Sequence, residues 1–227
     1  MIRIFIESGV NSAISCNKET TNEEEFIKKF IQHHFKGIVY KIDFEIYGIG
    51  GYTNLENSKP SLEDKKKQDV NLVIFDADGI YNGGGFDVRK KAIIEMKERM
   101  GVDFELFLWP NNHDDGDFES LLLQMINNKH QGVLDCYDSF VKCVERRDSK
   151  GKLYELPGRK AEMYTYIDIM RLSKKERDKL HKGYYLFDND QYWDLDAKAA
   201  NSLRDFLLPY IEPMIEGKTD SDAEKMI

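Results

Sequence analysis

Apolar positions recur along this chain with two periods, and the period switches several times. Residues 2–6, IRIFI, are β-branched and aromatic and read as a strand that stops at Glu7-Ser8-Gly9. Residues 22–35, NEEEFIKKFIQHHF, open with Asn and three glutamates, after which Phe26, Ile27, Phe30, Ile31 and Phe35 return at helical spacing. This pattern predicts a capped amphipathic helix. Residues 39–47, VYKIDFEIY, alternate as a second strand does, and the stretch GIGGYTNLENSKP behind them reads as a loop. Residues 70–75, VNLVIF, are more uniformly apolar, as expected for a central strand covered on both faces. After the loop GIYNGGG, residues 86–100 place Val88, Ala92, Ile93 and Met96 on a helix. Residues 103–109, DFELFLW, form a fourth strand stopped by Pro110, and residues 117–127 form a short helix opened by Asp117.

Strands alternating with helices predict an α/β domain whose largely parallel sheet is flanked by helices. From about residue 130 the pattern turns mainly helical, with helices near 160–172 and 196–208 and a polar loop over 145–160. The expected organisation is one domain over 1–215, with a core over 1–128 and a helical C-terminal extension over 129–215. The polar residues 216–227 are expected to form a flexible tail.

At 227 residues the chain can bury a core without disulfides. Its net charge of −8 restricts any nucleic-acid contact to local basic patches. The candidates are Lys65-Lys66-Lys67, Arg89-Lys90-Lys91, Arg146-Arg147 and Lys174-Lys175, each weighed against a simple solvated face. Cys16, Cys136 and Cys143 form no metal-binding pair, and the last two are spaced to pack on one helix face. No apolar run reaches membrane-spanning length, and the first residues lack a signal-peptide layout, so a cytoplasmic location is expected.

Carboxylates gather where the strands end. Glu7 follows the first strand, Asp76 and Asp78 follow the third, and Asp114, Asp115, Asp117 and Glu119 follow the fourth. In an open parallel sheet, ligands bind at these carboxyl ends. Residues i and i+2 of an extended segment point the same way, so Asp76 and Asp78 are expected to converge. Like charges this close favour a hard divalent cation such as Mg²⁺ between them. The plainer alternatives are turn chemistry for Asp-x-Asp-Gly and helix capping for Asp117. His33 and His34, adjacent on a helix, are expected to point apart, and His113 is the histidine nearest the acidic run. Tyr164, Tyr166, Tyr184, Tyr185, Tyr192 and Trp193 read either as a base-stacking surface or as core.

The motifs FIESGVN and FDADG, separated by a helix and a strand, resemble those of the TOPRIM fold shared by topoisomerases, primases and old-family nucleases. FLWPNNHDDGDFESLL resembles a Pro-Asn-Asn-x-x-x-Gly-Asp-x-Glu stretch of an uncharacterised bacterial and archaeal TOPRIM-like family. The resemblance covers about residues 1–128 and implies Mg²⁺- or Mn²⁺-dependent phosphodiester chemistry on nucleic acid. It implies that Glu7, Asp76 and Asp78 hold a metal, that Asp117 and Glu119 assist or hold a second, and that Glu7 and Lys160 serve catalysis. Gly9, Asn11 and Asn112 would contact substrate, with Asn11 standing where the family often carries an acidic residue. The chain shows no ATPase P-loop, so an ATPase would be a partner chain. Two other readings stay open. One is a non-catalytic TOPRIM-like module that binds nucleotide, nucleic acid or a partner. The other is a haloacid-dehalogenase-like phosphatase, which VIFDADGI also resembles, with Asp76 as nucleophile and Asp78 as acid/base.

Overall fold

The structure, a computed structural model, describes residues 1–9, 20–36, 43–147, 154–158, 160–181 and 184–223. Four strands, β1 (Ile2–Ile6), β2 (Phe44–Gly48), β3 (Val70–Asp76) and β4 (Glu105–Trp109), pair in the order β2-β1-β3-β4. Every pairing is parallel. Parallel neighbours cannot be joined by a hairpin, so helices carry the crossovers. Helix α1 (Asn22–His34) lies between β1 and β2 in sequence, and α3 (Phe86–Met100) lies between β3 and β4. Between β2 and β3 the chain forms a 3₁₀ segment, Tyr52–Ser58, and a short helix α2 (Lys59–Glu63), where composition predicted a loop. Buried Leu55 and Leu62 anchor this stretch, and Pro60 suits the first turn of α2.

Alternation along the strands sends side chains to two cores. Ile2, Ile4, Ile6, Leu72, Ile74, Phe107 and Trp109 face one side with Phe26, Ile27, Phe30 and Ile31 of α1. Phe5, Val73, Phe75 and Leu108 face the other, against Ile93 and Met100 of α3 and the leucines at 55 and 62. The central strand β3 is therefore covered on both faces, as its uniform apolarity predicts. This is a Rossmann-like α/β fold.

Behind β4 come α4 (Phe118–Gln124), α5 (Gln131–Arg147), α6 (Ala161–Asp168), α7 (Lys174–His181) and α8 (Asn201–Ala223). Tyr166, Tyr185, Tyr192 and Trp193 are buried in the first core, which leaves them unable to stack on bases. The Tyr166 hydroxyl donates to the Tyr192 carbonyl at 2.8 Å, and Trp193 Nε1 donates to the Tyr185 carbonyl at 2.8 Å. Tyr164 is exposed.

Some expected boundaries shift. β2 starts at Phe44, and the expected strand residues before 43 fall largely outside the described residues. α8 runs to Ala223, so residues expected as a tail continue a helix, while 224–227 lie outside the description. Cys136 and Cys143 both sit on α5, but Cys136 is exposed, so the two do not share a packed face; Cys16 lies outside the described residues. No helix among the described residues is long and apolar enough to cross a membrane.

Candidate functional site

The parallel pairing of β1 with β3 brings two strand ends side by side, and each carries a carboxylate. The Asp76 backbone N–H donates to Glu7 Oε2 at 3.1 Å, and the Tyr52 N–H donates to Glu7 Oε1 at 3.2 Å. The Glu7 carbonyl accepts from the N–H groups of Gly50 and Gly51, both at 2.9 Å. This brings the loops after β1 and β2 into backbone contact. A Cβ at Gly9 would stand 2.7 Å from Gly50 N, so Gly9 is required by this close approach. Asn11 lies outside the described residues.

Behind these two carboxylates stands a third, which the sequence reading assigned to the charged opening of α1. Glu23 is 5% exposed. Trp109, paired with Asp76 in the β3–β4 register, donates its Nε1 to Glu23 Oε1 at 2.7 Å. Ser8, next to Glu7, donates to Glu23 Oε2 from its N–H at 3.2 Å and its hydroxyl at 2.7 Å. Burial raises the Glu23 pKa to about 7, despite the Trp109 and Ser8 hydrogen bonds, and the charge of Glu7 adds to the rise. Asp76 is pushed up to about 8 by burial and by the charges of Glu23, Glu7 and Asp117, against the pull of the Phe118 N–H. That N–H donates to Asp76 Oδ1 at 2.9 Å. The strand ends thus concentrate more negative charge than neutral pH supports, which a proton or a cation relieves.

Asp78 does not join them. Its φ of 61° places it in the left-handed region, so the extended geometry behind the predicted convergence ends there. A Cβ at Gly84 would lie 2.5 Å from the Asp78 Cβ, so the returning loop also needs a glycine. The Asp78 carboxylate forms an ion pair with Arg89 of α3, whose side chain is 7% exposed and whose guanidinium lies 3.4 Å from the Tyr52 ring centroid. Arg89 is thereby removed from the expected basic patch. Arg89→Met is expected to destabilise the protein by about 1–3 kcal/mol, because a part-buried carboxylate loses its counter-charge. Urea unfolding at pH 7 checks this, and a change under about 0.5 kcal/mol, the usual range for surface substitutions, would show that the pair is incidental.

The remaining candidates take mixed roles. Asp117 is 1% exposed and caps α4, accepting from Ser120 N at 2.9 Å and from its hydroxyl at 2.5 Å. Glu119 accepts from Lys160 Nζ at 2.7 Å. Burial works against the Lys160 charge, but Glu119, with Asp76 and Asp117 beyond it, holds the Lys160 pKa above the ordinary lysine value. Lys160 is therefore a fixed cation beside the carboxylates, and no proton acceptor. Asn112 serves the turn after β4: its Oδ1 accepts from Leu108 N at 3.2 Å and its N–H donates to the Leu108 carbonyl at 2.7 Å. His113 is exposed, and its Nδ1 lies 2.8 Å from Asp114 Oδ1.

Among the described residues, the strand-end carboxylates do not bring three ligand oxygens within 4.8 Å of one another. The donor chemistry nevertheless fits a hard divalent cation, since Glu7 and Asp76 carry carboxylates at neighbouring strand ends, where the Glu7 charge helps raise the Asp76 pKa and a cation would offset it. No family model, curated protein or solved structure matches the chain.

Proposed function

We propose that the protein binds Mg²⁺ or Mn²⁺ at Glu7 and Asp76 and carries out TOPRIM-type phosphodiester cleavage on nucleic acid. The observation that carries this reading is the meeting of Glu7 with Asp76 at adjacent parallel strand ends, where Asp76 is raised to about 8 by burial and like charge. A bound divalent cation would supply charge neutralisation and polarise a phosphate oxygen. Glu7 and Asp76 hold it, and Asp117 contributes charge from the start of α4. Lys160, kept protonated by Glu119, receives a phosphate oxygen and stabilises charge that develops on it. Glu23 and Trp109 fix the floor on which Asp76 rests. The exposed residues Lys65, Lys66 and Lys67 precede β3 at the amino end of the sheet, opposite the strand ends that carry Glu7 and Asp76, and take no part in this reading. Any ATPase function belongs to a partner chain.

Lys160→Ala is expected to lower Mg²⁺- or Mn²⁺-dependent cleavage of single- or double-stranded DNA or RNA by about 10²–10³-fold while leaving cation binding intact. Unchanged cleavage would remove Lys160 from the reaction. The Asp78–Arg89 ion pair favours a second reading, a non-catalytic module that binds nucleotide or nucleic acid through the same strand ends. Cation binding without turnover on any of these substrates would select it. The phosphatase reading is weaker, because Asp78, which would be its acid/base, is turned to Arg89.

A further inference from the structure

At the far end of α1 from Glu23, His33 and His34 do not point apart. Their ring centroids lie 4.9 Å apart with planes at 85°, and both rings reach one carboxylate of the segment between α7 and α8. His33 Nε2 lies 2.9 Å from Asp196 Oδ1, and His34 Nδ1 lies 4.0 Å from the same oxygen. One donor atom from each of the three residues falls within 4.8 Å of the others.

The tautomer of His34 gives these contacts their meaning. Its Nε2 lies 3.0 Å from the Leu195 carbonyl, which can only accept, so Nε2 carries the hydrogen. Nδ1 therefore presents a bare lone pair towards a carboxylate oxygen. Without a metal the Asp196 oxygen accepts from His33 Nε2, and a cation placed among the three would meet both ring nitrogens and the carboxylate. A second-sphere carbonyl holding the outer ring N–H is the usual way a metal-bound histidine is oriented.

We propose that His33, His34 and Asp196 form a zinc site that fastens the end of α1 to the segment ahead of α8. Separations of 2.9 and 4.0 Å bracket the ligand–ligand edge of about 3.4 Å that tetrahedral Zn²⁺ imposes with bonds of about 2.0–2.1 Å. Two imidazoles and one carboxylate favour Zn²⁺ over Mg²⁺, which prefers oxygen donors alone. The backbone that carries Asp196 is held in place: Asp196 N donates to Asp194 Oδ1 at 3.0 Å, and Asp194 N donates to the Met125 carbonyl at 2.8 Å. A cavity of about 450 Å³, lined in part by His33, Lys36, Trp193 and Asp196, opens beside the trio and gives water and metal access to a fourth position. Lys36 and Arg204 act electrostatically on Asp196 and His34 respectively, and their positive charge opposes the metal.

The test is a Zn²⁺ titration of the full chain against a chromogenic chelator. The expected result is one equivalent bound in addition to any at the strand ends, retained by Glu7→Gln, and weakened about 100-fold or more by Asp196→Ala and by His34→Ala. Co²⁺ in place of Zn²⁺ is expected to give visible absorption that the same variants lose. His33→Gln guards against misfolding, since glutamine can keep the hydrogen bond to Asp196 while removing the imidazole ligand. It is expected to fold as the native chain does and to bind zinc weakly. No zinc uptake by the native protein, or His33→Gln and Asp196→Ala binding as tightly as native, would overturn the site.

Discussion

Asp76→Asn stabilises the metal-free protein at pH 8 and abolishes its response to divalent cations. The Asp76 pKa rises from an ordinary 3.8 to about 8 on folding, so between those values the folded state holds the proton more tightly than the unfolded chain. Stability contributed by this group is therefore complete below the unfolded value and falls as pH climbs towards the folded one. Glu23, raised to about 7, acts with the same sign over a narrower window. One pKa unit is worth about 1.4 kcal/mol, and the neighbouring carboxylates share one another's repulsion, so the expected gain for Asp76→Asn at pH 8 is about 2–4 kcal/mol. Asparagine keeps an oxygen to accept the Phe118 N–H. Unfolding in chelator at pH 5 and pH 8 checks the first half: native protein loses stability across the interval, and the variant loses much less. Adding millimolar Mg²⁺ at pH 8 checks the second half, with the native midpoint rising and the variant unmoved. A variant less stable than native at pH 8 would show that Asp76 is not held against like charge.

Trp109→Ala is expected to bring the protein close to unfolding. Trp109 is fully buried among Phe26, Phe107 and Phe118, with ring centroids at 6.0, 5.2 and 5.4 Å. Truncation leaves a cavity worth about 3–5 kcal/mol, and Glu23 loses its Nε1 donor at a further cost of about 1–3 kcal/mol. Against a typical total of about 5–15 kcal/mol, little remains. Trp109→Phe separates the two effects. It keeps most of the packing, strands the Glu23 carboxyl, and so costs less at pH 5, where Glu23 is protonated, than at pH 8. Urea unfolding of both variants at the two pH values measures this, and a pH-independent loss for Trp109→Phe would mean that the indole N–H does not act on Glu23.

The strands and main crossover helices were legible because burial on one or both faces writes a simple period into the sequence. Residues 70–75 are uniformly apolar because both sides of β3 are covered, and Phe26, Ile27, Phe30 and Ile31 mark the buried face of α1. Glu23 and His34 lie on that same face, three residues before Phe26 and four after Phe30. Their spacing was a readable signal of burial, but in the sequence Glu23 reads as part of the charged opening of the helix and His34 as one of two neighbours that point apart. Asp78 was misplaced for a different reason. A left-handed φ at one residue is a local event that an Asp-Gly pair permits without requiring. Arg89 sits in a run of basic residues, and only the tertiary position of Asp78 and Tyr52 draws it inward. The helical turns over residues 52–63 were hidden because Gly, Asn and Pro dominate there, and two buried leucines supply the packing that makes them helical.

The most direct test of a cation held by Glu7 and Asp76 is calorimetric titration of the native protein with Mg²⁺ and Mn²⁺ near pH 7.5, repeated in buffers of different ionisation enthalpy. Native protein is expected to bind and to release a proton, since Asp76 must ionise to ligate and its pKa is about 8. Glu7→Gln and Asp76→Asn are expected to show no binding heat, while His34→Ala binds as native does. Native binding without proton release, no binding at all, or equal binding by Glu7→Gln and Asp76→Asn would contradict the assignment.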